Sequence, residues 1–368
     1  METSFKGFYK DKRVLVTGHT GFKGSWLTIW LNELGAKVSG YSLEPPTQPN
    51  NFEICRLESK VRHIVGDVRD FDHLLEVFRE LQPEVVFHMA AQPLVRFSYD
   101  VPRLTMDVNI LGSVNVLEAV RLTPSVQSLV MITSDKCYEN REQVWGYKEN
   151  DPMGGDDPYS ASKGAAELAI RSYIRSFFSH RGNFGAVSVR AGNVIGGGDW
   201  AKDRIVSDCI RSLSATRPVE VRSPMAIRPW QHVLEPLSGY LWLCAKLKED
   251  PHRLSGGWNF GPADSSAKCV GDLVKAIIAE WKSGEWVDLS SGNDKTLHEA
   301  GWLRLSCDKA HVMLPWAATL SFEENVGMTV KWYKYYYDFS DSNLYQFCVH
   351  QIREYTRLAA ERGQMWPT

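Results

Sequence analysis

Short apolar runs alternate with longer segments of helical spacing through the first half of this chain, and that alternation restricts the fold more than any other feature. Strand, helix, strand in succession is the pattern of βαβ units, whose strands lie parallel in one sheet. Residues 13–17, 36–42, 61–65, 83–88, 128–133 and 186–190 read as six strands. Residues 22–34 read as a helix closed by Gly35, and 102–121 and 159–178 as two long helices. The expectation is an α/β fold, a Rossmann-type doubly wound parallel sheet.

Beyond Arg190 the regularity fades into Gly196-Gly197-Gly198 and a run of prolines between Pro218 and Pro236. A smaller α/β lobe for substrate is expected there, assembled from non-contiguous C-terminal segments, 193–228 and 259–335. The dinucleotide domain would then be 1–192 with a returning segment near 229–258, and 336–368 a helical tail whose spacing is clearest over 341–362.

Composition excludes several classes. A net charge of -2 provides no field for nucleic acid or an anionic membrane. Met1-Glu2-Thr3-Ser4-Phe5-Lys6 has no apolar core of a signal peptide, and no apolar run approaches the roughly 18 residues that span a bilayer. Seven cysteines with no C-x-x-C pair and no metal-like Cys/His spacing point to free thiols in a reducing, cytoplasmic setting and to no metal site.

Directly after the first strand comes Thr17-Gly18-His19-Thr20-Gly21-Phe22-Lys23-Gly24. Glycines three apart where a strand turns into a helix let the backbone approach a pyrophosphate, and the helix N-terminus adds free N–H donors. Gly18, Thr20, Gly21, Phe22 and Gly24 are therefore candidate cofactor contacts. Asp67-Val68, after the third strand, is placed to meet the adenine amino group, with capping of a helix near Phe71 as the alternative for Asp67. Tyr41-Ser42-Leu43 has no carboxylate for a ribose, while His19 and Lys23 lie near enough in sequence to meet a 2′-phosphate; NAD is expected, and NADP stays open.

Tyr159 and Lys163 are four apart at a helix start, hence on one face. A neighbouring ammonium and a positive nicotinamide ring both favour a phenolate, so Tyr159 can take a hydroxyl proton while Lys163 holds the nicotinamide ribose. Ser134-Asp135-Lys136, just after the fifth strand, sets a hydroxyl, an acid and an amine in a row.

Gly18-x-x-Gly21-x-x-Gly24, His88-Met89-Ala90-Ala91 and Tyr159-x-x-x-Lys163 together resemble the extended short-chain dehydrogenase/reductase family, over most of the chain. The resemblance implies that Ala90, Ala91, Gln92 and Thr133 join the cofactor site and that Ser134 hydrogen-bonds the reacting sugar oxygen. Within that family Asp135-Lys136 resembles the 4,6-dehydratases, although dTDP-glucose dehydratases carry Asp-Glu there. Residues 17–26, 190–200 and 228–233, with Ser134-Asp135-Lys136, are similar to those of the CDP-glucose 4,6-dehydratases. That implies conversion of CDP-D-glucose to CDP-4-keto-6-deoxy-D-glucose, with oxidation at C4, loss of the C5 proton to Lys136, expulsion of the C6 hydroxyl by the acid Asp135, and return of hydride to C6.

Asn193, Arg204, Arg228 and Asn259 are the candidate substrate residues, the arginines because a guanidinium meets phosphate oxygens in pairs. The resemblance further implies a homodimer formed by helices 102–121 and 159–178, with larger homo-oligomers open. The competing readings are a nucleotide-sugar 4-epimerase, a 4,6-dehydratase for another nucleotide sugar, and a non-catalytic dinucleotide-sensing scaffold.

Overall fold

The computed structural model describes residues 1–263, 266–292, 303–339 and 343–368. Seven parallel strands form the central sheet: β1 Arg13–Thr17, β2 Lys37–Ser42, β3 Arg62–Val65, β4 Val85–His88, β5 Ser128–Ile132, β6 Gly185–Arg190 and β7 Gly256–Asn259. Their spatial order is β7-β6-β5-β4-β1-β2-β3. The order reverses between β1 and β4, and at such a switch point the loops leaving the two strands part to open a crevice. The six expected strands are all present; β7 is an addition.

Successive strand residues point to opposite faces, so each strand feeds two cores. Val14, Val16, Val85, Phe87 and Val130 pack with Trp26 and Trp30 of α1 (Phe22–Glu33), while Leu15, Val86, Leu129 and Met131 pack on the other side against α2 (Phe71–Leu81). Asp70, whose carboxylate accepts from His73 N at 3.1 Å, starts α2. Two long helices lie on that second face. α3 (102–121) passes through one π-helical turn, Asp107–Leu111, and α4 (158–178) ends in another, Ile174–Phe178. Asp157 caps α4 and Pro158 occupies its first turn, where no N–H is required.

On the first face, α5 (Leu234–Leu247), α6 (Phe322–Asp338) and α7 (Leu344–Glu361) complete the layer around α1. α6 runs straight through position 336, where the tail was expected to begin, and the first two residues of the expected 341–362 helix lie outside the described residues. The chain ends meet here: Phe5 N donates to Trp366 O at 2.7 Å, and the buried Trp366 ring stacks on Phe5 at 5.1 Å and stands edge-on to Trp30.

Three short ladders lie outside the central sheet: 194–195 with 231–232, 227–229 with 267–269, and 219–221 with 286–288. They bring Gly192, Pro229 and Gln231, with residues 261–263, Ala267, Arg304 and Leu305, around Asp135 just past the end of β5. No helix among the described residues is long and apolar enough to cross a membrane. None of the seven cysteines forms a disulfide.

Candidate active site

The glycine loop is as tight as backbone permits. Gly18 sits at φ +74°, and a Cβ there would lie 2.6 Å from Ala90 N; a Cβ at Gly24 would lie 2.1 Å from the Gly18 carbonyl. α1 thus starts hard against the turn, with the unpaired N–H groups of its first residues at the crevice between β1 and β4. Those features fit a dinucleotide pyrophosphate. Ala90 and Ala91 follow β4 beside this loop, and the Phe22 ring lies against Gly196.

Several neighbours expected at the cofactor are committed elsewhere. Thr20 Oγ1 bonds Ser42 Oγ at 2.8 Å and the Leu43 carbonyl at 3.0 Å, closing the end of β2. The Gln92 side chain is used up by Thr105, by the Leu94 carbonyl and by Leu94 N. Val68 is buried in the second core. Asp67 does not cap α2, since Asp70 does; its carboxylate is held by Arg69, which keeps it below the usual carboxylate range.

The cations raised for a 2′-phosphate are also elsewhere. His19 pairs with His63 at 2.7 Å, and burial lowers its pKa to about 3, so it is neutral. Lys23 is lowered to about 8, by burial first and then by Arg204; Asp135, Lys163 and Asp199 are the other charges around it. It belongs to the chemical end of the crevice.

At that end, Ser134 leaves β5 extended and caps the single turn Asp135–Cys137. Its hydroxyl donates to Asp135 Oδ1 at 2.9 Å and accepts from Lys136 N at 3.2 Å, and it also engages the Tyr159 phenol. Tyr159 and Lys163 come from the first turns of α4, with the ammonium 5.9 Å from the ring centroid. Ser134, Asp135, Tyr159 and Lys163 are all buried, and Lys136 is half-buried. Burial pushes the phenol up to about 12 against the pull of Ser134, and the Lys163 ammonium down to about 8. In the protein alone, burial outweighs the opposing pulls of Ser134 and Arg204 on Tyr159, and the positive nicotinamide ring of the sequence expectation would add to those pulls.

Thr133 faces the other way. Its hydroxyl donates to Glu167, which also receives Ser188 and two bonds of 2.8 Å from Arg190. Arg190 continues to Tyr138, and Tyr138 donates to Asn259 Oδ1 at 2.8 Å. Asn259 Nδ2 donates to the carbonyls of Tyr147 and Ser306, so this amide closes a buried network rather than offering itself to substrate.

The remaining substrate candidates are placed over the end of β5. Asn193 turns the chain at φ +50° and its carbonyl accepts from Gln231 N. Arg204 is a third exposed and bound to Asp199 at 2.7 Å, which holds it charged against the cost of burial. Arg228 is half-buried on the 227–229 ladder and donates to the Ile227 carbonyl.

Comparison with known proteins follows the same lines. The GDP-mannose 4,6 dehydratase family matches residues 15–329. A CDP-glucose 4,6-dehydratase of Salmonella typhimurium is 50% identical over 333 residues, 89% of this chain and 92% of the relative. This chain belongs to the GDP-mannose 4,6 dehydratase family. Among more distant relatives, a mouse dTDP-D-glucose 4,6-dehydratase is 25% identical over 88% of this chain and 89% of its own length. The crystal structure of a Bacillus anthracis dTDP-glucose 4,6-dehydratase in complex with NAD superposes with a TM-score of 0.71 at 19% identity, covering 91% of this chain and 99% of that one, and shares the fold.

Two polar residues beside Asp135 were not singled out from sequence. A small cavity beside Asp135 is lined by Gly192, Pro229, Gln231 and Arg304 among others. Gln231 was in view only inside the string 228–233, and nothing in local spacing marks Arg304; both reach the site through the short ladders and loops.

Proposed function

We propose that this enzyme is a nucleotide-sugar 4,6-dehydratase, a hydro-lyase that converts CDP-D-glucose to CDP-4-keto-6-deoxy-D-glucose and water. The observation that carries the reading is the buried set Ser134, Asp135 and Tyr159, with Lys136 next in chain, at the end of β5. An epimerase needs only the hydroxyl and the Tyr-Lys pair, whereas a dehydratase also needs an acid and a base. The identity to the Salmonella relative supports cytidine diphosphate as the carrier.

Held by the Gly18–Gly24 turn and the start of α1, NAD would supply a hydride acceptor for C4 oxidation and a hydride donor for C6. Tyr159 takes the C4 hydroxyl proton, with Ser134 orienting the same oxygen. Lys163 holds the nicotinamide ribose and supplies positive charge to the phenolate. Once C4 is a ketone, the C5 proton is acidic; Lys136 removes it as Asp135 protonates the departing C6 hydroxyl. Arg204 and Arg228 meet the diphosphate, and Asn193 the diphosphate or sugar. The sheet with its α5-to-β7 return carries the cofactor, and the segments after Arg190 carry the substrate. The product serves the synthesis of deoxysugars for bacterial surface polysaccharide in the cytoplasm, and the enzyme works as a homodimer.

The test is incubation with CDP-glucose and NAD, following the base-induced absorbance of a 4-keto-6-deoxy sugar, with dTDP-glucose, GDP-mannose and UDP-glucose in parallel. Signal with CDP-glucose alone is expected. Signal only with another carrier overturns the substrate, and an isomerised sugar of unchanged formula overturns the reaction.

A further inference from the structure

Gln231 is fully buried, and its carboxamide cannot turn. The nitrogen side donates to two carbonyls, Gly192 O at 3.0 Å and Phe260 O at 3.3 Å. Carbonyls only accept, so that side must carry the NH2 group. Oε1 is left on the opposite side, with no hydrogen-bond partner among the described residues. A buried acceptor without a donor is costly, and such groups call for a ligand or a role.

The residue lines the same cavity as Asp135. The two are joined through Gly192: its carbonyl receives the Gln231 amide, and its Cα is pressed so closely to Asp135 that an added Cβ would fall 1.8 Å from Oδ2. The cavity is about 10 Å3, room for about one water. Apart from Arg304, its other walls are small or apolar: Gly192, Pro229, Gly261, Pro262, Ala263, Ala267 and Leu305.

A water-sized space lined by an acid and by a residue with an orphaned acceptor suits a reaction that expels one water. We infer that Gln231 is a catalytic residue of the elimination, its Oε1 accepting the hydrogen of the C6 hydroxyl while Asp135 protonates that oxygen, and that the cavity receives the water that leaves. The inference rests on the dehydratase reading above. The Asp135 proton forms the second O6–H bond, and the C6–O6 electron pair departs with the oxygen. The C5–H electron pair becomes the C5=C6 bond, and the C5 proton goes to Lys136. As O6 gains its second proton it becomes positive and its hydrogens grow more acidic, so an acceptor aimed at one of them binds the transition state better than the ground state.

Two variants test this. Gln231→Leu removes the acceptor. Gly261→Ala adds a methyl to the cavity wall, its Cβ at 3.4 Å from Cys307 Sγ and 3.8 Å from Leu305 Cβ, ordinary contacts that leave the fold intact. Single turnovers with CDP-glucose are followed at the absorbance of reduced nicotinamide, for C4 oxidation, and by quenched product, for elimination. In both variants elimination should slow by about 10- to 100-fold, and reduced cofactor should accumulate. Oxidation of CDP-6-deoxyglucose, which has no leaving group, should proceed as in the wild type.

Equal loss of oxidation and elimination would make Gln231 a structural residue and overturn the assignment. Unchanged elimination in Gly261→Ala would overturn it as well, and that variant decides alone if Gln231→Leu does not fold. A wild-type enzyme that forms no 4-keto-6-deoxy sugar overturns the dehydratase reading, and this one with it; an active wild type with indifferent variants overturns only this one.

Discussion

Burying Tyr159 and Lys163 side by side drives both toward their neutral forms, the phenol up to about 12 and the ammonium down to about 8. A lysine lowered in this way carries its charge only below about pH 8. If that charge holds the cofactor ribose, NAD binds tightly below pH 8 and weakens as pH rises through that value; titration by calorimetry between pH 6.5 and 9.5 measures it, and a flat profile would remove Lys163 from the binding role. Tyr159→Phe should lose C4 oxidation by at least about 100-fold, read as absence of reduced cofactor in a single turnover. Ser134, Asp135, Tyr159 and Lys163 were legible because they neighbour one another in chain or sit one helical turn apart. The bonds that engage the side chains of Thr133, Gln92 and Asn259 were not legible, because their partners come from α4, α3 and the 147 and 306 segments, and no local pattern reports such long-range bonds.

The same divide runs through the elements. β1, β4 and β5 read plainly because a parallel strand covered on both faces is a nearly unbroken apolar run, whereas β2 and the edge strand β3 are mixed in composition and were placed by the alternation of strand and helix around them. β7, Gly256-Gly257-Trp258-Asn259, carries one large apolar residue and was missed. Its glycine has a cause: a Cβ at Gly257 would lie 2.4 Å from Arg190 Nη2. Strand pairing at this edge therefore depends on the Arg190–Glu167 pair, both partners 4% exposed. Arg190→Leu leaves Glu167 charged and buried without its partner, and should cost roughly 3–5 kcal/mol. Urea denaturation reads this, and a loss below about 1 kcal/mol, the scale of a surface pair, would refute it.

For the whole molecule, the outward side of α3 and α4 is more apolar than a free surface needs. Leu111 is 56% exposed, and Leu168 and Phe177 are each 47% exposed. Leu168→Asp should convert the proposed homodimer to monomers in light scattering at micromolar concentration, with the thermal midpoint of the monomer retained; an unchanged mass would place the interface elsewhere. A different whole-chain property follows from Trp366 lying between Phe5 and Trp30. The glycine loop is made early, but the helix behind it gains its last wall only when residue 366 has left the ribosome. Residues far apart in sequence, Phe5 and Trp366, therefore share the work of supporting the helix that begins at the glycine loop.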